Sequence, residues 1–189
     1  MNHAVKIEFL PQKEFLVIKG YGKLYDPEVT HTLDPNERTW DIIRQQLNNG
    51  AVERLKKAAS SETAYMLFCN TCKRNDDDKC YDCGYDIACE NLNGSKAADD
   101  FDIVRLKPCE YAVFDCTFDG ETSLPAAHEK SDALFWNEWL KENPYICAID
   151  DTANWLGNGY ASIELYSPFD PDADEFNAKI WFPIIRKDI

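Results

Sequence analysis

Glu14-Phe15-Leu16-Val17-Ile18-Lys19-Gly20 and Glu110-Tyr111-Ala112-Val113-Phe114 are the two stretches on which the fold turns. Each is short, apolar and rich in β-branched or aromatic residues, so each reads as a strand. They echo one another in register: Glu14 with Glu110, Phe15 with Tyr111, Val17 with Val113 and Ile18 with Phe114. An internal echo of this kind points to a repeated unit. Residues 5–10 read as a weaker strand ahead of the first stretch.

The segments after the two stretches follow one order. Residues 25–37 contain Pro27, Asp34, Pro35 and Asn36 and read as a loop. Trp40, Ile43 and Leu47 then fall at helical spacing, with Thr39 as N-cap and Asn49-Gly50 as a stop. Residues 52–59 form a second short helix, and 64–69 and 85–90 read as strands. In the second half, Asp119-Gly120 and Leu124-Pro125 mark a loop. Residues 131–142 read as a helix, with Ser131 as N-cap and Asn143-Pro144 as its end. Strands at 161–166 and 177–183 follow, joined by the turn-rich segment 167–171. The order is β-α-β-β, twice. It predicts an α+β fold, a single domain over 1–189 made of two pseudo-symmetric units, roughly 1–100 and 101–189. The units would meet across a shared cleft, a preferred place for a small ligand.

Composition narrows the function. The chain has 189 residues, 44% hydrophobic and 29% charged, enough for one packed core. Lys plus Arg is 20 and Asp plus Glu is 34, a formal net charge of −14. So acidic a chain repels a phosphate backbone and is better placed to attract cations, so no nucleic-acid partner is expected. No apolar run approaches the roughly 20 residues a bilayer span needs, and residues 1–13 hold no apolar signal core. A soluble, cytoplasmic protein with no membrane partner is the expectation.

The eight cysteines fall into two sets. Cys89, Cys109, Cys116 and Cys147 sit singly among apolar residues and read as small buried hydrophobes. Cys69-Asn-Thr-Cys72 and Cys80-Tyr-Asp-Cys83 are two C-x-x-C pairs on what reads as the hairpin 69–83. Two thiolate pairs at the ends of a hairpin can meet tetrahedrally, the geometry that zinc accepts. Reduced thiols and a redox pair are the other readings. Four thiolates would leave no open coordination position, so a zinc ion here would be structural.

Three further motifs complete a pattern: Leu106-Lys107-Pro108-Cys109-Glu110, Ile163-Glu164-Leu165-Tyr166-Ser167-Pro168, and Ile180-Trp181-Phe182-Pro183-Ile184. With the two opening stretches and Phe135-Trp136-Asn137-Glu138-Trp139-Leu140, they give the chain its likeness. It resembles the GyrI-like small-molecule-binding domain, also the effector domain of drug-sensing AraC- and MerR-type bacterial regulators. The resemblance spans nearly the whole chain. It implies two β-α-β-β units and a cleft floored by aromatic residues around one central carboxylate, matched here by Glu164. No helix-turn-helix precedes residue 15, so the chain looks like a standalone form that does not itself regulate DNA. The Cys-rich hairpin departs from the family's pattern.

The residues around Glu164 carry the chemistry. In Ser162-Ile163-Glu164-Leu165-Tyr166, Ile163 and Leu165 share one strand face and Glu164 and Tyr166 the other. The apolar pair is expected to face the helices, which leaves Glu164 and Tyr166 in the groove beside Trp181. A carboxylate there loses hydration unless a cation or hydrogen-bond donors meet it. A solvated Glu164, or one paired with Lys179, is the alternative. The chain holds 5 Trp, 9 Tyr and 10 Phe. Trp136 and Trp139, three apart on a helix, join Tyr21, Tyr111, Tyr166 and Trp181 as candidate walls, with Trp40 read as core. A cation over such faces gains roughly 0.5–2 kcal/mol each.

The first expectation is therefore a module that binds small hydrophobic, cationic compounds, as multidrug sensors do. The resemblance also implies a second expectation, a hydrolase of small reactive compounds using Glu164 with Tyr166 or Tyr111. The third is a module that binds a larger protein such as gyrase. No G-x-S-x-G, H-E-x-x-H or phosphate loop is present, and no organic cofactor is expected. His3, His31 and His128 read as terminal or loop residues.

Overall fold

A computed structural model describes residues 3–25, 34, 38–68, 73–75, 80–96, 100–118, 124–149 and 159–187. Among the described residues, ten strands form one sheet in which every pairing is antiparallel. In chain order they are β1 (His3–Leu10), β2 (Lys13–Tyr25), β3 (Tyr65–Phe68), β4 (Lys73–Asn75), β5 (Cys80–Glu90), β6 (Asp102–Leu106), β7 (Cys109–Phe118), β8 (Tyr145–Cys147), β9 (Ser162–Ser167) and β10 (Phe176–Arg186). Eight of them lie side by side as β1-β7-β10-β9-β3-β5-β2-β6, with β4 on β5 and β8 on β10. The N-terminal strand thus crosses to the far end of the sheet and pairs with β7.

Three helices cover one face: α1 (Thr39–Asn48), α2 (Ala51–Ala59) and α3 (Leu124–Ala133). In α2, Ala51, Val52, Leu55 and Ala59 are buried, an apolar stripe at intervals of three and four residues. α3 runs on through a wide π-helical turn, Leu134–Trp139, into a last turn at Leu140–Glu142.

The sheet is buried on both faces, and alternation along each strand sends side chains to two cores. The larger core, under the helices, takes Leu16, Met66, Phe68, Tyr85, Ile87, Phe114, Tyr166, Ile180 and Phe182, with Trp40, Ile43, Leu55 and Phe135 from the helices. Phe135 stacks flat on Phe182 at 4.1 Å, inclined by 3°. The smaller core, on the opposite face, takes Phe15, Val17, Leu67, Val104, Tyr111, Val113 and Ile163.

Several expectations from sequence need correcting. β2 does not stop with the apolar stretch at Gly20 but runs on to Tyr25, passing through two glycines. The Tyr85 ring lies where a side chain on residue 20 would go, and Thr39 Oγ1 lies 2.6 Å from the Cβ position of residue 22. The glycines let the core close onto the backbone while the strand continues. Leu124-Pro125 is not a loop: it begins α3, since the first turn of a helix tolerates proline's missing N–H. Ser131 is therefore a fully buried interior residue of α3 rather than its cap. At α1 the cap position is Arg38, and Thr39 lies inside the helix. The short strands β6 and β8 were not foreseen, and β1, β4 and β6 add to the simple β-α-β-β order.

Candidate functional site

β9 and β3 join the two ends of the sheet through three residue pairs: Met66 with Glu164, Leu67 with Ile163 and Phe68 with Ser162. Glu164 sits on this seam. The parity of β9 is opposite to the one expected. Ile163 points into the smaller core, while Glu164 and Tyr166 share the face beneath the helices. Both cores accept apolar side chains, so the pairing of Ile163 with Leu165 identified a face without saying which layer it meets.

Glu164 is 1% exposed. One of its oxygens, Oε2, receives two contacts: the Tyr166 hydroxyl donates to it at 2.6 Å, and His128 Nδ1 lies 3.1 Å away. Toward an ionised carboxylate, which only accepts, Nδ1 must carry the hydrogen. Aromatic rings enclose the group. Trp40 of α1 meets His128 edge-on at 6.0 Å and Tyr166 at 6.4 Å. Phe68 lies against His128 at 4.9 Å, and Phe176 borders Tyr166 at 6.2 Å.

The charges of this cluster are coupled. Burial raises the Tyr166 hydroxyl well above its ordinary pKa, and the Glu164 charge adds to that, so the tyrosine stays a donor. Asp132 stands four residues after His128 on α3. Burial lifts its carboxyl to about 6, with His128 pulling down and Glu164 pushing up. The cluster thus offers one deeply buried acceptor, Glu164, and a second carboxylate that carries its charge only above mildly acidic pH.

His128 was read as a loop residue, so sequence reasoning missed it and Asp132 together. The available signal was their separation of four, which places them on one helix face once α3 is allowed to begin at Leu124.

The other candidates are dispersed. Tyr111 is buried in the smaller core, so of the two tyrosines considered beside Glu164 only Tyr166 touches it. Trp181 is half-buried against the same smaller core, with Lys179 Nζ 5.1 Å from its ring centre. Glu164 is accordingly paired with Tyr166 and His128. Trp139 stacks between Phe135 at 6.1 Å and Tyr145 at 5.8 Å. Trp136 is exposed and lines a surface hollow of about 540 Å³ with Leu140, Lys141, Tyr145 and Ile146. Tyr21 lies on β2 opposite Gly84, and its side chain is outside the described residues. So are Cys69 and Cys72, and the side chains of Cys80 and Cys83, which lie three apart on β5. Cys89, Cys109 and Cys116 are buried free thiols and Cys147 is half-buried. Burial pushes the Cys89 thiol up to about 12, which keeps it protonated and inert.

The fold is similar to that of several solved structures over nearly the whole chain. SAV2435, in a structure bound to tetraphenylphosphonium, matches over 96% of this chain and 94% of its own, with 13% identity and a TM-score of 0.58. A putative transcription regulation protein from Staphylococcus aureus MU50 matches over 98% and 99%, with 13% identity and a TM-score of 0.56. The C-terminal domain of EcmrR matches over the same shares, with 14% identity and a TM-score of 0.52. At these identities the likeness is one of fold. No protein-family model and no curated protein sequence matches the chain. Among the described residues no helix is long and apolar enough to cross a membrane.

Proposed function

We propose that the chain is a binding module for small hydrophobic cations, held against Glu164 between α1, α3 and the sheet. The burial of Glu164 among Trp40, Phe68, Tyr166 and Phe176 carries this reading. A carboxylate removed from water is under-solvated by several kcal/mol at least, and its contacts with the Tyr166 hydroxyl and His128 Nδ1 offset only part of that. A cation supplies the rest, and the rings add attraction at their faces. The ligand of SAV2435, a lipophilic cation with no hydrogen-bonding groups, is of the class such a site accepts. On this reading β2, α1–α2, β3 and β5 form one unit, and β7, α3, β9 and β10 its equivalent. The seam between β3 and β9 is then where the units meet, and the ligand displaces His128 from Glu164.

Titration with tetraphenylphosphonium, followed by tryptophan fluorescence, tests this, since Trp40 borders the cluster. Glu164→Gln keeps the shape and removes the charge. Affinity should fall by about 1–3 kcal/mol, roughly 5- to 150-fold. Affinity for triphenylphosphine oxide, neutral and of similar bulk, should barely change. Equal losses for both would assign Glu164 a packing role. Unchanged binding of both would place the ligand away from Glu164.

A further inference from the structure

Strand β1 ends the sheet, and among the described residues it pairs only with β7. Among the described residues, its outer edge therefore presents a row of unpaired N–H and C=O groups. No proline or bulge interrupts His3–Leu10. Val5, Ile7 and Phe9 share one face of the strand. Ile7 is 46% exposed and Phe9 65%, unusual values for large apolar side chains on a sheet. Lys6 and Glu8 share the other face, and neither forms an ion pair among the described residues.

We propose that β1 is a self-association surface whose partner is a second copy of this chain, paired edge to edge in antiparallel fashion about a two-fold axis at Ile7. The charges select this register. With Ile7 opposite its own copy, Lys6 of each chain faces Glu8 of the other. Val5 then faces Phe9, and the exposed apolar row closes into a ladder Val5–Phe9, Ile7–Ile7, Phe9–Val5. A two-residue slip in one direction sets Lys6 against Lys6. A slip in the other sets Glu8 against Glu8. Like charges directly opposite one another are destabilising, so only the Ile7-centred pairing satisfies both the apolar and the charged face. The result is one sheet running through both copies, which removes the exposed edge at β1.

Sedimentation velocity on the full chain at tens of micromolar tests the proposal, with near-ultraviolet circular dichroism to confirm that each variant is folded. The native chain should show a concentration-dependent dimer. Lys6→Glu and Glu8→Lys should each weaken it by about tenfold, because each places two like-charged pairs across the axis. The double variant exchanges the partners and should restore the native affinity to within about threefold. Glu8→Lys is the sharper single test. It lowers the net negative charge of each copy, which by general repulsion alone would strengthen association. Phe9→Lys should abolish the dimer. A native chain that stays monomeric overturns the proposal. So does a dimer that ignores these substitutions, or one that the double variant weakens as much as the single ones.

Discussion

Replacing Asp132 by asparagine removes the second carboxylate of the buried cluster while keeping its shape. In the fold this carboxyl titrates at about 6, against 3.8 for the free group, chiefly because of burial. At roughly 1.4 kcal/mol per pKa unit, ionising it in the fold costs about 3 kcal/mol more than in the unfolded chain. Asp132 is only partly shielded by surface area, so solvent screening reduces this to about 1–3 kcal/mol. The sign follows from proton counting. Between about pH 4 and pH 6 the folded chain holds the Asp132 proton and the unfolded chain has released it, so this group lowers stability as pH rises through that window. Below the window it contributes nothing, and above it the full penalty is present. The asparagine variant has no proton to lose at this position. Urea unfolding, followed by tryptophan fluorescence at about pH 4 and about pH 7.5, gives the stability of both proteins. The variant should gain about 1–3 kcal/mol on the native chain between the two pH values. The comparison cancels the carboxylates that do not interact with Asp132, and the difference reports Asp132 together with its coupling to His128 and Glu164. A difference between the two proteins that is the same at both pH values would refute the reasoning, because Asp132 would then titrate normally.

Two more predictions follow from the core and the cysteines. If Cys69, Cys72, Cys80 and Cys83 hold zinc, elemental analysis of freshly purified protein gives close to one zinc per chain, and a content near zero with four titrating thiols there excludes it. Phe135→Ala removes a fully buried ring stacked on Phe182 and should lower stability by about 3–5 kcal/mol in urea unfolding; a loss below about 1 kcal/mol would mean the stack carries little.

The strands at Phe15–Val17, Tyr111–Phe114 and Ile180–Phe182 were legible because β-branched and aromatic runs between turn residues have few other uses. Trp40 and Ile43 on α1 were legible from helical spacing. The extension of β2 was not, because Gly20 and Gly22 look like punctuation in sequence and act instead as clearance for Tyr85 and Thr39. β8 was not, because three residues paired to Ile184–Arg186 leave no periodic trace. Glu164 was singled out chiefly by the family resemblance and then placed on its strand, but its orientation depended on knowing that the sheet has an apolar layer on each face. His128 had one trace in the chain, its separation of four from Asp132, and that shows only once α3 is allowed to begin at Leu124. Its role is set by β9, which lies beside it only in the fold.

The route of β1 bears on how the chain folds as it is synthesised. The strands β2, β3, β5 and β6 pair among themselves and are all made before Cys109. β1 is made first, yet its partner β7 is made last of this group. Roughly a hundred residues separate the two, an interval on the order of 5–20 s at typical elongation rates. Throughout it β1 has neither of its edges satisfied. Such non-local pairing slows folding.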